Sequence, residues 1–288
     1  MRKAALQLSF ASIALYILAG AALWSVQARL IFEPSRHLAV RADQLPFRVV
    51  DLTIPVAGTS QRLHAWWMPG HSAQGKLFLY FHGNDGNIST NVGETTLLRE
   101  LGHSVLVIDY RGYGESDGSF PTERTMYQDA DAALRYALER MRVDARDIWI
   151  YGHSLGAAVA IDLAARHPEL AGLIVESGFT SIYDMARLEP QYTVFPLKLL
   201  LRERFESIRK VPGLALPVLY VHGTADEIVP FDMGQALYER SGGRKAFLAV
   251  AGGRHEDNAR VAPAQVRAGI SELLRQSEPL DPVAAAQP

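Results

Sequence analysis

The sequence predicts an α/β protein in which a mostly parallel central sheet is covered by helices on both faces. Two observations carry that expectation. Short, continuously apolar runs at 76–82 (KLFLYFH), 104–110 (SVLVIDY), 148–151, 172–175, 217–222 and 246–250 alternate with longer segments of helical spacing. Strands buried on both faces read as such unbroken runs, whereas half-exposed strands alternate apolar and polar residues. In addition, 288 residues that are 48% hydrophobic and 21% charged can bury a large core and are not disordered. α/β folds often reach this length as one unit.

The elements follow in chain order. Residues 4–26 come after Arg2 and Lys3 and carry no charge. At ~1.5 Å per residue they would form a helix of roughly 34 Å, about the thickness of a bilayer's hydrocarbon core. Ala19-Gly20-Ala21 resembles a signal-peptide cleavage site but sits inside an apolar run too long for a signal peptide's hydrophobic region. The expectation is an uncleaved single-pass membrane anchor over 1–27, touching membrane lipid, with Trp24 at the interface. Arg29, Arg36 and Arg41 nearly balance the positive charges that precede the run. The short basic N-terminus resembles a signal anchor, which would put the rest of the chain on the non-cytoplasmic side. Residues 28–46, with Pro34 and Pro46, read as a connector. A strand pair at 48–55 and 62–68 opens the main folded region, 47–276. Helices are expected near 90–101, 122–141, 155–166, 231–240 and 263–276. Residues 180–212 break the rhythm; their apolar stretch TVFPLKLLLRERF (193–205) reads either as a helix packed on the core or as a cap over a site. The tail 277–288 is expected to be loose.

Composition removes several function classes. A net charge of −2 and the lack of a Lys/Arg stripe leave no electrostatic footprint for nucleic acid. With no cysteine, a disulfide, a thiolate nucleophile and a Cys-metal site are all impossible. There is no zinc-type spacing and no P-loop, so neither a metal nor a cofactor is expected.

Residues 148–160, IWIYGHSLGAAVA, carry the chemistry. Gly152-His153-Ser154-Leu155-Gly156 fits G-x-S-x-G, a weak pattern alone. Here a strand precedes it and an alanine-rich helix follows, as a nucleophile elbow requires. Glycines relieve crowding where strand turns into helix, and the serine is left protruding at the helix N-terminus. A hydroxyl needs a base. His255 follows the run 246–250, and Asp226 follows the run 217–222, so both fall past strand ends, where open α/β sheets place their sites. Asp226 would fix the tautomer of His255, and His255 would take the proton of Ser154. Glu176 and Glu227 are rival acids. His153 should point elsewhere, His82 and His222 should bond loops, and His64 fits a surface or loop role. Two backbone N–H groups are needed for the oxyanion: Leu155, next to the nucleophile, and Asn84, in the loop FHGNDGN after the run 76–82. Asp85 should turn its carboxylate away from developing negative charge.

Four motifs in order, HGNDGN (82–87), DYRGYGESDG (109–118), GHSLG (152–156) and HGTADEIVP (222–230), followed by His255, resemble the α/β-hydrolase superfamily over residues 48–276. With the N-terminal anchor, the chain is similar to a branch of single-pass serine hydrolases with acyl-ester or acyl-thioester hydrolases among its relatives. The resemblance implies the α/β-hydrolase fold, a triad of Ser154, Asp226 and His255, and oxyanion donors at Asn84 and Leu155. It reads DYRGYGESDG as a structural loop, with Arg111 paired to a carboxylate. Asp85 departs from the small neutral residue expected there, and Ser154 argues against relatives with an aspartate nucleophile. The expected function is hydrolysis of small-molecule esters or thioesters through an acyl-enzyme. The anchor and the run 197–201 point to a lipid-derived acyl chain. The alternatives are a catalytically silent tethered binding module and a peptidase. No obligate protein partner is implied.

Overall fold

The computed structural model describes residues 2–277; the expected loose tail, from Glu278 on, lies outside them. Helix α1 (Arg2–Ile31) opens the chain and runs past the expected end of the anchor at residue 27. Its segment Ser9–Ile31 is long and apolar enough to cross a bilayer, and little of it is buried against protein. That fits a single-pass membrane anchor or a signal sequence.

The main sheet contains β1 (Val50–Pro55), β2 (Arg62–Met68), β3 (Leu77–Phe81), β4 (Ser104–Ile108), β5 (Ile148–His153), β6 (Gly172–Glu176), β7 (Val218–Gly223) and β8 (Lys245–Val250). Its eight strands lie in the order β1-β2-β4-β3-β5-β6-β7-β8. β2 runs antiparallel to both β1 and β4, and the remaining neighbours are parallel. The exchange of β3 and β4 makes β3 and β5 neighbours in the middle of the sheet, so the loop after β3 stands beside the turn after β5.

The helices are α2 (Val92–Glu100), α3 (Glu123–Glu139), α4 (Leu155–Arg166), α5 (Ile182–Leu188), α6 (Leu197–Leu200), α7 (Ser207–Lys210), α8 (Phe231–Arg240), α9 (Asn258–Val261) and α10 (Pro263–Ser277). Side chains alternate across a strand, and the central strands show why they are apolar at every position. Leu77, Leu79 and Phe81 of β3 join one core with Met126 and Ala130 of α3 and Val159 of α4. Phe78 and Tyr80 of the same strand join the other core, with Leu98 of α2 and Ile270 of α10. α4 is buried from Leu155 to Ala164, and its alanines let it lie close to the sheet. Each large apolar side chain buried this way contributes ~1.5–3 kcal/mol.

Two segments outside the sheet shape the site. Glu33–Pro34 pairs in parallel with Asp85–Gly86, which ties the chain after α1 to the loop after β3. Between β6 and β7, the segment carrying α5, α6 and α7 stands over the C-terminal edge of the sheet. The stretch 193–205 does not form one helix: Pro196 caps α6, which has run out by the extended Leu201. A residue before proline is steered away from helical geometry, so Phe195 cannot extend the helix backwards.

Candidate active site

β5 hands over to α4 through Ser154, whose φ of 54° and ψ of −118° put a non-glycine residue in strained territory. Such a conformation costs on the order of 1–3 kcal/mol and persists only where its surroundings enforce it. They do so here. The Ser154 N–H donates to the Glu176 carbonyl at 2.9 Å, and the Ser154 carbonyl accepts from Ala157 N–H at 3.0 Å. The flanking glycines are sterically required. A Cβ on Gly152 would stand 2.3 Å from the Gly156 carbonyl oxygen, and one on Gly156 would stand 2.0 Å from that of Phe81. No rotamer could avoid a clash with backbone.

The loops after β7 and β8 interlock. Thr224 N–H donates to Val250 O and Ala225 N–H to Gly253 O, both at 2.9 Å. A Cβ on Gly223 would lie 2.2 Å from Gly253 O, so glycine permits this contact. The interlock brings Asp226 to His255. His255 Nδ1 is 2.9 Å from Asp226 Oδ2 and 3.1 Å from Oδ1. On the other edge of the ring, His255 Nε2 is 2.9 Å from Ser154 Oγ. Asp226 Oδ1 also accepts from the N–H groups of Ile228 and Val229, at 3.0 and 2.9 Å. His222 Nε2 lies 3.0 Å from Val229 O and 3.3 Å from Asp226 Oδ2. Burial alone would push the Asp226 carboxyl up, but the His222, His255 and backbone contacts outweigh it and hold the pKa well below the carboxylate range.

Neither rival acid bonds His255, although Glu227 lines the same cavity as Ser154. Glu176 accepts from Tyr151 OH at 2.5 Å and from Asn258 Nδ2 at 3.1 Å. Glu227 is exposed, 3.9 Å from Arg254. Two histidines differ from expectation. His153 does not point away from the site but reaches the main chain of His255, 2.9 Å from Nε2 to the carbonyl, which also accepts from Ser177 Oγ at 3.1 Å. His64 is no surface residue: on β2, between two strands, it is buried against Asp109, 2.7 Å from Nδ1 to Oδ2. His82 and His222 bond loop carbonyls as expected.

The loop after β3 stands next to the elbow; a Cβ on Gly83 would be 3.6 Å from that of Ser154. The Asn84 carbonyl is tied down by Glu33 N–H at 2.9 Å and Tyr113 OH at 2.6 Å, and its side-chain amide donates to Ile31 O at 3.2 Å. Leu155, as the first residue of α4, has an N–H without an intrahelical acceptor. Asp85 is exposed, with its backbone paired to Glu33. The loop 109–118 is structural: Arg111 Nε meets Asp129 at 2.6 Å, and a Cβ on Gly114 would lie 1.9 Å from Asp109 Oδ2.

Ser154, Leu155 and Asn84 open onto one cavity of about 450 Å³, whose walls are mostly apolar. α5 and α6 supply one side. The other was absent from the sequence-based reading: Leu23, Gln27, Leu30 and Ile31 of α1 line it. Among the described residues, no group of three or more His, Asp and Glu side chains converges to hold a metal ion.

An uncharacterized protein of Mycobacterium tuberculosis is 34% identical over 236 residues, covering 82% of each chain. The α/β hydrolase domain-containing protein WAV2 of Arabidopsis thaliana is 31% identical over 264 residues, covering 84% of this chain and 85% of its own. The chain belongs to the α/β-hydrolase superfamily. Within this family, the lysophosphatidylserine lipase ABHD12 of Danio rerio is 33% identical over 199 residues, which cover 63% of this chain and 51% of that protein. A family model described as serine aminopeptidase, S33 (Hydrolase_4) matches residues 75–208. The fold is also that of the Pyrococcus furiosus esterase Pf2001, with a TM-score of 0.69 at 20% identity over 85% of this chain and 98% of that one.

Proposed function

We propose that this α/β hydrolase is a membrane-anchored serine hydrolase that cleaves carboxylic esters or thioesters through an acyl-enzyme. The observation that carries the reading is the unbroken relay from Asp226 through His255 to Ser154, 2.9 Å at each link, at the floor of an apolar cavity. With Asp226 ionised and accepting from Nδ1–H, the free Nε2 lone pair faces the serine hydroxyl. Ser154 Oγ attacks the acyl carbon as its proton passes to Nε2. The N–H groups of Asn84 and Leu155 take the oxyanion, and each such donor is worth ~3–4 kcal/mol of transition-state stabilisation. The imidazolium gives its proton to the leaving alkoxide or thiolate. Water, deprotonated by the same Nε2, then releases the carboxylic acid.

The apolar cavity and the lipase among the relatives support an acyl chain of lipid origin. The retained anchor is supported by Gln27, which is 3% exposed. Its Nε2 donates to Leu200 O at 3.1 Å and its Oε1 accepts from Arg202 N–H at 2.7 Å, so loss of α1 would strip the cap of partners. The basic start of the chain supports a catalytic domain on the non-cytoplasmic side. Protease added outside intact cells should digest the domain there; complete protection would reverse the topology.

A fluorophosphonate probe tests the chemistry. Folded protein should be labelled on Ser154, and Ser154→Ala should lose both label and ester hydrolysis; an unlabelled serine would sink the reading. The peptidase reading draws on the description of the matching family model, so aminoacyl p-nitroanilides belong in the same assay. Faster turnover of these than of p-nitrophenyl esters would favour it.

A further inference from the structure

We propose that the C-terminal end of α1 is a wall of the acyl-binding pocket, and that Leu23 and Ile31 help set the length of chain the enzyme accepts. The inference rests on the serine-hydrolase reading for the identity of the occupant, but its geometry is independent of it.

The cavity that starts at Ser154 is bounded on one side by Leu23 and Ile31 and on the other by Met185, Leu197 and Leu200. A chain esterified at Ser154 and lying along this cavity would run between α1 and the cap. The two walls are fixed to each other along several helical turns. Tyr16 OH donates to Val194 O at 2.9 Å, and the rings of Tyr16 and Phe195 stack at 5.4 Å. The Arg202 guanidinium lies 4.4 Å from the Trp24 ring, and Gln27 holds Leu200 and Arg202. A flexible tether would show none of these contacts.

The surroundings also point to a hydrocarbon occupant. Tyr16 lies in the middle of the uncharged run 4–26, so the part of the cap that touches it sits at the depth of the apolar slab. Val194, whose carbonyl meets Tyr16, is 65% exposed, and Leu199 of α6 is 81% exposed. In water such side chains would be a liability; against lipid they are not. The pocket's volume falls in the range of small-molecule sites, and it is lined as an acyl chain requires.

The test uses the full chain in detergent micelles, where delivery of substrate by a bilayer plays no part. Leu23→Trp fills the wall, Leu23→Ala recedes it, and Val26→Trp places the same bulk on an exposed position of α1 outside the cavity. The readout is the ratio of kcat/KM on p-nitrophenyl decanoate to that on the acetate. Each methylene excluded from an apolar site costs about fourfold, so Leu23→Trp should lower the ratio at least tenfold. Val26→Trp should leave the ratio as it is, and Leu23→Ala should shift the optimum to longer chains. Equal ratios in all variants, with esters still turned over, would overturn the wall and leave the hydrolase reading standing. A second measurement needs no turnover: binding of a fluorescent long-chain fatty amide to Ser154→Ala protein, which an added Leu23→Trp should weaken and an added Val26→Trp should not. Wall-dependent binding with an unlabelled Ser154 would retain the pocket and remove the hydrolase.

Discussion

At the scale of single residues, the relay makes specific demands. Asp226→Asn keeps the shape but reverses the hydrogen bond at His255 Nδ1, favouring the tautomer with its proton facing Ser154. We expect kcat on p-nitrophenyl esters to fall on the order of 10⁴-fold with folding preserved, measured by steady-state kinetics beside a circular dichroism spectrum. Asp226 also has a signature in stability. Its folded pKa is depressed, so its contribution is present above the ordinary carboxylate value and lost as pH falls toward the folded one. Thermal melts taken downward from about pH 4 should fall less steeply in Asp226→Asn than in the parent protein. The meeting of Ser154, Asp226 and His255 was foreshadowed in the sequence because each follows a continuous apolar run that reads as a strand. The role of His153 was not legible. Its hydrogen bond to His255 O joins the end of β5 to a loop about a hundred residues away, and nothing in the local pattern foretells it.

At the scale of elements, two junctions carry the fold's precision. Gly156 lets α4 start against the end of β3, and Gly156→Ala would drive a methyl into the Phe81 carbonyl. The elbow can relieve that clash only by moving β5 against β3, so we expect a loss of ~1–3 kcal/mol or more, visible as a lower Tm. The second junction ties β2 to the loop after β4. Burial opposes charge on His64, but Asp109 at 2.7 Å and Asp51 at 3.2 Å outweigh it and raise the pKa. For a base raised in the folded state, the stabilisation is complete below the unfolded value near 6.5 and lost as pH rises through the folded one. Melts from pH 6 to 9 should therefore decline, and His64→Gln should flatten that decline while lowering Tm most at pH 6. The central strands were readable as unbroken apolar runs and the long helices by their ~3.6-residue period. The internal structure of the segment 180–212, left open between a packed helix and a cap, was not: Pro196 divides its apolar stretch, and the resulting α6 spans only Leu197–Leu200.

At the scale of the whole molecule, the least legible feature was the relation of α1 to the rest. Sequence marks α1 as apolar and near the N-terminus, which fits an anchor or a signal sequence and says nothing of which protein groups it touches. Part of the contact is made by Gln27, an unremarkable polar residue at the edge of the run. Gln27→Ala should leave the backbone groups it serves without partners, at ~1–3 kcal/mol, and loosen the cap. Limited proteolysis in micelles should then cut between residues 188 and 204 faster than in the parent chain; an unchanged cutting rate would show that the cap does not need the Gln27 hydrogen bonds.

The hydrogen bond from Tyr16 to Val194 has a kinetic corollary. With α1 anchored in a bilayer as proposed, the grip of the cap partway along its apolar length would hold Ser154 at a constant height over the lipid headgroups and keep it from sampling the bulk. Encounters would then become a search in two dimensions, in which surface density replaces molarity. Diluting an ester with inert phospholipid at constant total ester should slow turnover, whereas diluting the vesicles with buffer should not.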